Sequence, residues 1–190
     1  MSTLTEIRWH GRGGQGAVTA AKVLAETCVS IGKHVQAFPE YGPERSGAPL
    51  KAYNRISDKP ISLYCPVVHP GVVTVIDHTL LDAVDVTEDA DANAVFIINS
   101  CTPPAQLRTK LKLKPSQQVY SVDATEIALQ TIGRSIPNTP MLGALAKVTG
   151  MFTLEGLLED MKKSFGKKFS DDIINKNLDA ARRGYEEVAG

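Results

Sequence analysis

Only three cysteines occur in the sequence, Cys28, Cys65 and Cys101, and none stands near another. No CxxC pair exists, so neither a ferredoxin-type iron–sulfur run nor a zinc ribbon is encoded. Three isolated thiols read as buried or inert cysteines of a reducing compartment. Charge of one sign is lacking too: Lys plus Arg and Asp plus Glu both number 21. The basic excess of a non-specific nucleic-acid binder is therefore missing. A chain without net charge is poorly protected against association, which suits life inside a complex. No apolar run approaches the roughly 20 residues of a membrane span. Residues 1–6 hold no basic region leading into an apolar one. Neither membrane nor secretory signal is expected, and the chain reads as cytoplasmic.

What is present is an alternation of strand and helix patterns. The 190 residues fit one domain with one substantial core, spanning 1–190. Ile7–His10 reads as a strand, Gly11–Gly16 as a glycine turn, and Ala17–Ile31 as a helix with Val18, Ala21, Leu24, Ala25 and Cys28 at helical spacing. Gly32 stops that helix and His34–Phe38 is the next strand, giving a βαβ unit. Pro39–Pro49 carries three prolines and two glycines, which forbid a helix or central strand. Leu50–Ile56 and Ile61–Tyr64 read as a hairpin about the turn Ser57–Pro60. Val72–Asp77, Ala94–Asn99 and Val119–Asp123 have the β-branched look of strands buried on both faces. Leu80–Val84 and Pro104–Leu111 read as short helices between them. Asp123 or Thr125 caps a helix running to about Gln130. Thr139 caps the next, with Pro140 at its first position and Gly150 at its end. Helices opened by Thr153 and by Asp171 or Asp172 follow, the last reaching about Val188. The fold class is α/β: a single Rossmann-like domain, a mostly parallel twisted sheet with one hairpin, and a helical C-terminal segment over about 125–190.

Gly11-x-Gly13-x-x-Gly16 lies between a strand and a helix, the context in which such glycines matter. Glycine permits the tight turn and lets a ligand approach the backbone, and the free N–H groups of the helix start favour an anion. Gly14 bares the loop further, and Arg12 adds a permanent charge for a phosphate. The bland alternative is a turn that packs helix on strand and holds nothing. A nicotinamide dinucleotide wants an acidic residue at the end of the second strand. Glu40 comes late and behind Pro39, so that ligand is disfavoured.

The run from Ile7 to Gly16, with its Gly11-Arg12-Gly13-Gly14-Gln15-Gly16 core, resembles the N-terminal signature of gamma subunits of pyruvate (2-oxoacid):ferredoxin oxidoreductases. Val35–Pro49 resembles the second signature of that family. Asn54-Arg55-Ile56, Val75-Ile76-Asp77 and the stretch from Asn138 to Ala144 also fit, so the likeness covers most of the chain. It implies an enzyme that oxidatively decarboxylates a 2-oxoacid, pyruvate before its relatives, transfers the acyl group to coenzyme A and passes two electrons to ferredoxin. It further implies partners: alpha and beta subunits holding thiamine diphosphate with magnesium, and beta and delta subunits holding iron–sulfur clusters. The gamma subunit is expected to help bind coenzyme A and to hold the assembly together, with no catalytic residue of its own. Gly11, Arg12, Gly13, Gly14, Gln15 and Gly16 are then the expected phosphate cradle. Arg45 and Ser46 are expected to touch phosphate or pantetheine, unless Arg45 only pairs with Glu40 or Glu44.

Other polar residues carry blander readings. His10 is expected to be structural and satisfied by backbone. His34, His69 and His78 show no ligand spacing, and Asp77 caps or pairs. Arg108, Lys110, Lys112, Lys114, Lys162, Lys163, Lys167 and Lys168 form solvated faces. Asn138 and Thr139 shape a helix start near the glycine loop.

Overall fold

A computed structural model describes residues 4–40, 47–166 and 169–190. Six strands form one sheet in the order β2-β3-β1-β4-β5-β6. These are β1 (Thr5–Arg12), β2 (His34–Glu40), β3 (Pro49–Ser57), β4 (Val72–Val75), β5 (Val95–Asn99) and β6 (Gln118–Val122). The run β1-β4-β5-β6 is parallel, and β3 lies antiparallel between β1 and β2. Six α-helices accompany them: α1 (Ala17–Ser30), α2 (Pro104–Lys110), α3 (Ala124–Thr131), α4 (Asn138–Thr149), α5 (Leu154–Phe165) and α6 (Asp171–Glu187).

The α/β class and the mostly parallel sheet stand as expected, with four differences in detail. First, β1 and β2 are not neighbours, because β3 inserts between them; the opening βαβ unit is split. Second, Ile61–Tyr64 forms no strand. Both edges of β3 are already taken by β1 and β2, so no backbone donors remain for a further partner. The hairpin is instead β2–β3, closed by the Gly/Pro loop. Third, α4 begins at Asn138, so Pro140 is its third residue and Thr139 does not cap it. The Thr139 hydroxyl is buried and donates to Asn177 Oδ1 of α6 at 3.1 Å. Fourth, the short helix expected at Leu80–Val84 is a tighter 3₁₀ turn that lies two residues earlier, at His78–Asp82.

Capping explains several boundaries. Asp123, not Thr125, accepts the Glu126 N–H at 3.0 Å and starts α3. Thr153 accepts the Gly156 N–H at 3.1 Å and starts α5. Ser170 precedes α6, with Asp171 and Asp172 in its first turn where the dipole favours acid.

The strands bury different clusters on their two faces. Ile7, Trp9, Val72 and Ile97 meet α1, α4, α5 and α6 on one side. Val73, Val75, Phe96 and Ile98 meet Leu80, Val86 and Leu107 on the other. Alternation along each strand sends neighbours to opposite faces. Asn54, fully buried, ties α1 to the sheet: its Oδ1 accepts from Trp9 Nε1 and its Nδ2 donates to Ala21 O, both at 2.8 Å. That bond fixes where α1 starts, and hence the glycine loop before it.

On the opposite face of β3, Arg55 is 1% exposed and donates to Glu6, Cys65 O and Pro66 O. Removing one partner of a buried ion pair costs about 3–5 kcal/mol. Because Glu6 keeps 18% of its side-chain exposure, Glu6→Ala is expected at the low end, about 3 kcal/mol. A urea midpoint lowered at unchanged slope would show it; an unmoved midpoint would show that the Cys65 and Pro66 carbonyls, with the Gln36 side-chain amide oxygen, suffice.

Candidate functional site

The glycine loop leaves the carboxyl end of β1, and the carboxyl end of β4 lies beside it. From β1 the chain crosses to α1 on one face, and from β4 to the 3₁₀ turn on the other. This divergence is the crevice where open α/β sheets bind ligands. Arg12 pairs with Pro49 across the β1–β3 ladder, so residues 47–49, the described end of the Gly/Pro stretch, flank the same crevice. Arg45 and Ser46, with residues 41–46 generally, lie outside the described residues.

The loop residues divide into two groups. Gly13 and Gly14 are exposed, while Gly11 and Ala17 are buried against each other. A Cβ on Gly11 would stand 3.0 Å from Ala17 Cβ, so its bareness serves packing. Not every backbone donor foreseen for a phosphate is available. The Gly13 N–H points to Ala48 O at 3.3 Å and the Gln15 N–H to Arg12 O at 3.1 Å. The remaining loop donors belong to Gly14, Gly16 and the first turn of α1. Gly16 is the N-cap of α1, left-handed at φ 84°, and offers no side-chain cap; the first turn holds no acidic residue. Such an end favours an anion.

Arg12 is held on three sides. Its Nε lies 3.2 Å from Asp77 Oδ2, Nε and Nη2 reach Thr79 Oγ1 at 3.3 and 3.1 Å, and Nη1 donates to Gly47 O at 3.1 Å. Gln15 spans the loop: its Oε1 accepts the Arg12 N–H at 2.8 Å and its Nε2 donates to Asp77 Oδ2 at 2.6 Å. Asp77 both caps and pairs. Its Oδ1 takes the Thr79 N–H at 2.9 Å and the Thr79 hydroxyl at 2.7 Å. Burial pushes the Asp77 carboxyl up, but the Thr79 and Gln15 hydrogen bonds and the Arg12 charge outweigh burial and hold it below its ordinary value. Asn138, at the start of α4, stands against Gly16, the neighbourhood foreseen for it.

The sequence did not single out Asp77 and Thr79 as members of the loop's network. One signal was legible. Asp-x-Thr makes a local turn, and the same pattern recurs at Asp85 and Thr87 with 2.8 and 2.6 Å bonds. The contact with Arg12 and Gln15 spans more than 60 residues and had no local signature.

Several side readings are sharpened. His10 is buried, but it is not the backbone-satisfied histidine expected, since its Nε2 has no partner among the described residues. Burial, with Arg8 and Lys51 nearby, lowers its pKa to about 3, so it stays neutral. Glu40 accepts from the Tyr53 hydroxyl and is committed within the sheet. Cys28 is buried, its thiol raised to about 11 by burial, whereas Cys65 and Cys101 are exposed. Arg108 is more than a solvated charge: it donates to Lys114 O at 3.2 Å and Gln117 O at 2.5 Å, closing the turn after α2. Among the described residues no group of three His, Cys, Asp or Glu side chains is placed to hold a metal. Among the described residues no helix is long and apolar enough to cross a membrane.

Residues 6–187 match the family model described as pyruvate ferredoxin/flavodoxin oxidoreductase. The chain is 50% identical over 183 residues to the pyruvate synthase subunit PorC of Thermotoga maritima, covering 96% of this chain and 94% of that protein. It is 47% identical to the pyruvate/ketoisovalerate oxidoreductases common subunit gamma of Pyrococcus furiosus, covering 97% of each. The crystal structure of the Thermotoga maritima subunit superposes with a TM-score of 0.86 over 98% of this chain. The fold recurs, at 21% identity and a TM-score of 0.77, in 30% of a chain of the 2-oxoglutarate:ferredoxin oxidoreductase of Magnetococcus marinus, solved with 2-oxoglutarate, coenzyme A and succinyl-CoA.

Proposed function

We propose a role for this chain on the premise that it belongs to the pyruvate ferredoxin/flavodoxin oxidoreductase family, as a gamma subunit of a 2-oxoacid:ferredoxin oxidoreductase. The assembled enzyme takes a 2-oxoacid, pyruvate first, to acyl-CoA and carbon dioxide and delivers the electrons to ferredoxin. This chain binds a phosphate of coenzyme A at the glycine loop and helps to hold the assembly together in the cytoplasm. Thiamine diphosphate with magnesium, and the iron–sulfur clusters, belong to the alpha, beta and delta subunits and supply the decarboxylation and electron transfer. The cysteines here do not fit a cluster, since Cys28 is buried and Cys65 and Cys101 stand apart.

One observation carries the coenzyme A reading: a bare, left-handed N-cap at Gly16 opens α1 beside the Arg12 guanidinium at the sheet's crevice. A phosphate there meets oriented N–H groups and a fixed positive charge. The chain's contribution is then positional. Anchoring the nucleotide end lets the thiol reach the acyl group as an intramolecular partner, and such orientation supplies a large share of rate enhancement.

Arg12→Gln tests this in the complex purified without oxygen. The KM for coenzyme A in pyruvate-driven reduction of an electron acceptor is expected to rise about tenfold, the loss of one charge-assisted contact. The KM for pyruvate stays where it was. Preference for coenzyme A over its 3′-dephospho form, if lost in the variant, assigns the 3′-phosphate to Arg12; if kept, it assigns the diphosphate. A specific observation favours a second reading, that of a pure scaffold: the Gly13 and Gln15 N–H groups are spent inside the loop. An unmoved coenzyme A KM would establish it.

A further inference from the structure

We propose that Asp77 is a positioning residue of this site: it aims the Arg12 guanidinium at the phosphate and holds the glycine loop in shape without touching the ligand. The inference rests on the reading of the loop as the coenzyme A cradle. Asp77 lies outside both loops, just past the end of β4, and is 9% exposed. Its two oxygens do separate work. Oδ1 is spent on the Thr79 N–H and hydroxyl, which lock its own turn. Oδ2 receives Gln15 Nε2 at 2.6 Å and the Arg12 Nε at 3.2 Å. Arg12 and Gln15 flank the exposed pair Gly13-Gly14, so one oxygen holds both ends of the bare stretch. Gln15 completes the ring by accepting the Arg12 N–H at 2.8 Å.

The donor inventory says how the guanidinium is aimed. It has five N–H groups. Thr79 and Asp77 take the Nε edge with one N–H of Nη2, and Gly47 O takes one N–H of Nη1. The other two, one on each terminal nitrogen, are left for phosphate oxygens. The Arg12 charge in turn masks the Asp77 carboxylate, which would otherwise repel the same phosphate.

That mutual dependence gives a signature no merely structural residue has. In the purified complex, Asp77→Asn keeps one acceptor oxygen, which can serve Thr79 or Gln15 but not both, and removes the charge that orients Arg12. The KM for coenzyme A is expected to rise several-fold, with the KM for pyruvate unmoved. In the Arg12→Gln background, Asp77→Asn should cause no further rise and should recover part of the loss, because the unmasked carboxylate is gone. A coupling of about tenfold between the two substitutions is expected. Losses that simply multiply would overturn the positioning role while leaving the cradle intact. An Arg12→Gln complex with an unmoved coenzyme A KM would overturn the cradle itself, and this inference with it. Should the Asp77→Asn complex not assemble, Asp77→Glu, which keeps the charge and displaces it by one methylene, enters the same cycle: losses that do not multiply support the positioning role, and no recovery is expected because the carboxylate remains.

Discussion

Valine in place of Gly184 is expected to cost the folded chain about 4 kcal/mol or more, at the severe end for a single substitution. Gly143→Val is expected to do the same. The two residues face opposite helices. A Cβ on Gly184 of α6 would overlap the Pro140 carbonyl oxygen of α4, and a Cβ on Gly143 of α4 would overlap the Ala181 carbonyl oxygen of α6. The obstacle is backbone in both cases, so no side chain can swing aside. In an exposed helix, Gly→Ala would stabilise by about 0.8–1 kcal/mol; here even alanine forces the helices apart, and the sign reverses. Thermal unfolding should show the valine variants melting roughly 8–16 °C lower, from the 2–4 °C per kcal/mol of a chain this size. Alanine variants that melt at the parental temperature would show that α4 and α6 separate freely. The consequence reaches the site, because α4 starts at Asn138, against Gly16.

The fold class was legible because its signals are local. Three β-branched runs gave the parallel strands, and the glycine turn after Trp9-His10 gave the β1–α1 junction. Strand order was not legible. Nothing in 50–57 says that β3 inserts between β1 and β2; that follows from Trp9 meeting Asn54 across the ladder, a contact 45 residues apart. Ile61–Tyr64 looked like a partner strand because its side chains suit one, but its pairing edge was already occupied. Thr139-Pro140 looked like a cap because the dipeptide is one elsewhere. Here Thr139 is drawn inside the helix by Asn177. The site divides in the same way. The glycines and Arg12 were singled out from sequence as candidates, since a loop between strand and helix has a local signature. Asp77 joined them only in three dimensions, through pairing of β1 with β4.

Gly16→Ala should separate the demands of stability from those of the site. The residue sits at φ 84°, where an L side chain costs roughly 1–2 kcal/mol. Its Cβ would also stand 2.6 Å from Asn138 Nδ2 and 2.8 Å from Asn138 Cγ. The amide is buried, so either the loop or the start of α4 must yield. The stability loss is expected to remain modest, about 1–2 kcal/mol, because the cores on both sheet faces are untouched. The kinetic loss is expected to be far larger: displacement by about 1 Å can cost on the order of 100-fold where a ligand must be held in register. That loss should fall on kcat/KM for coenzyme A in the assembled enzyme. Asn138→Ala, added to Gly16→Ala, removes the obstructing amide but not the backbone strain. Recovery of most of the lost rate would show that the clash had moved the cradle. No recovery would put the requirement in the left-handed backbone, whose N–H groups would then be what the phosphate reads. A Gly16→Ala enzyme with parental coenzyme A kinetics would contradict both, and the loop would be packing alone.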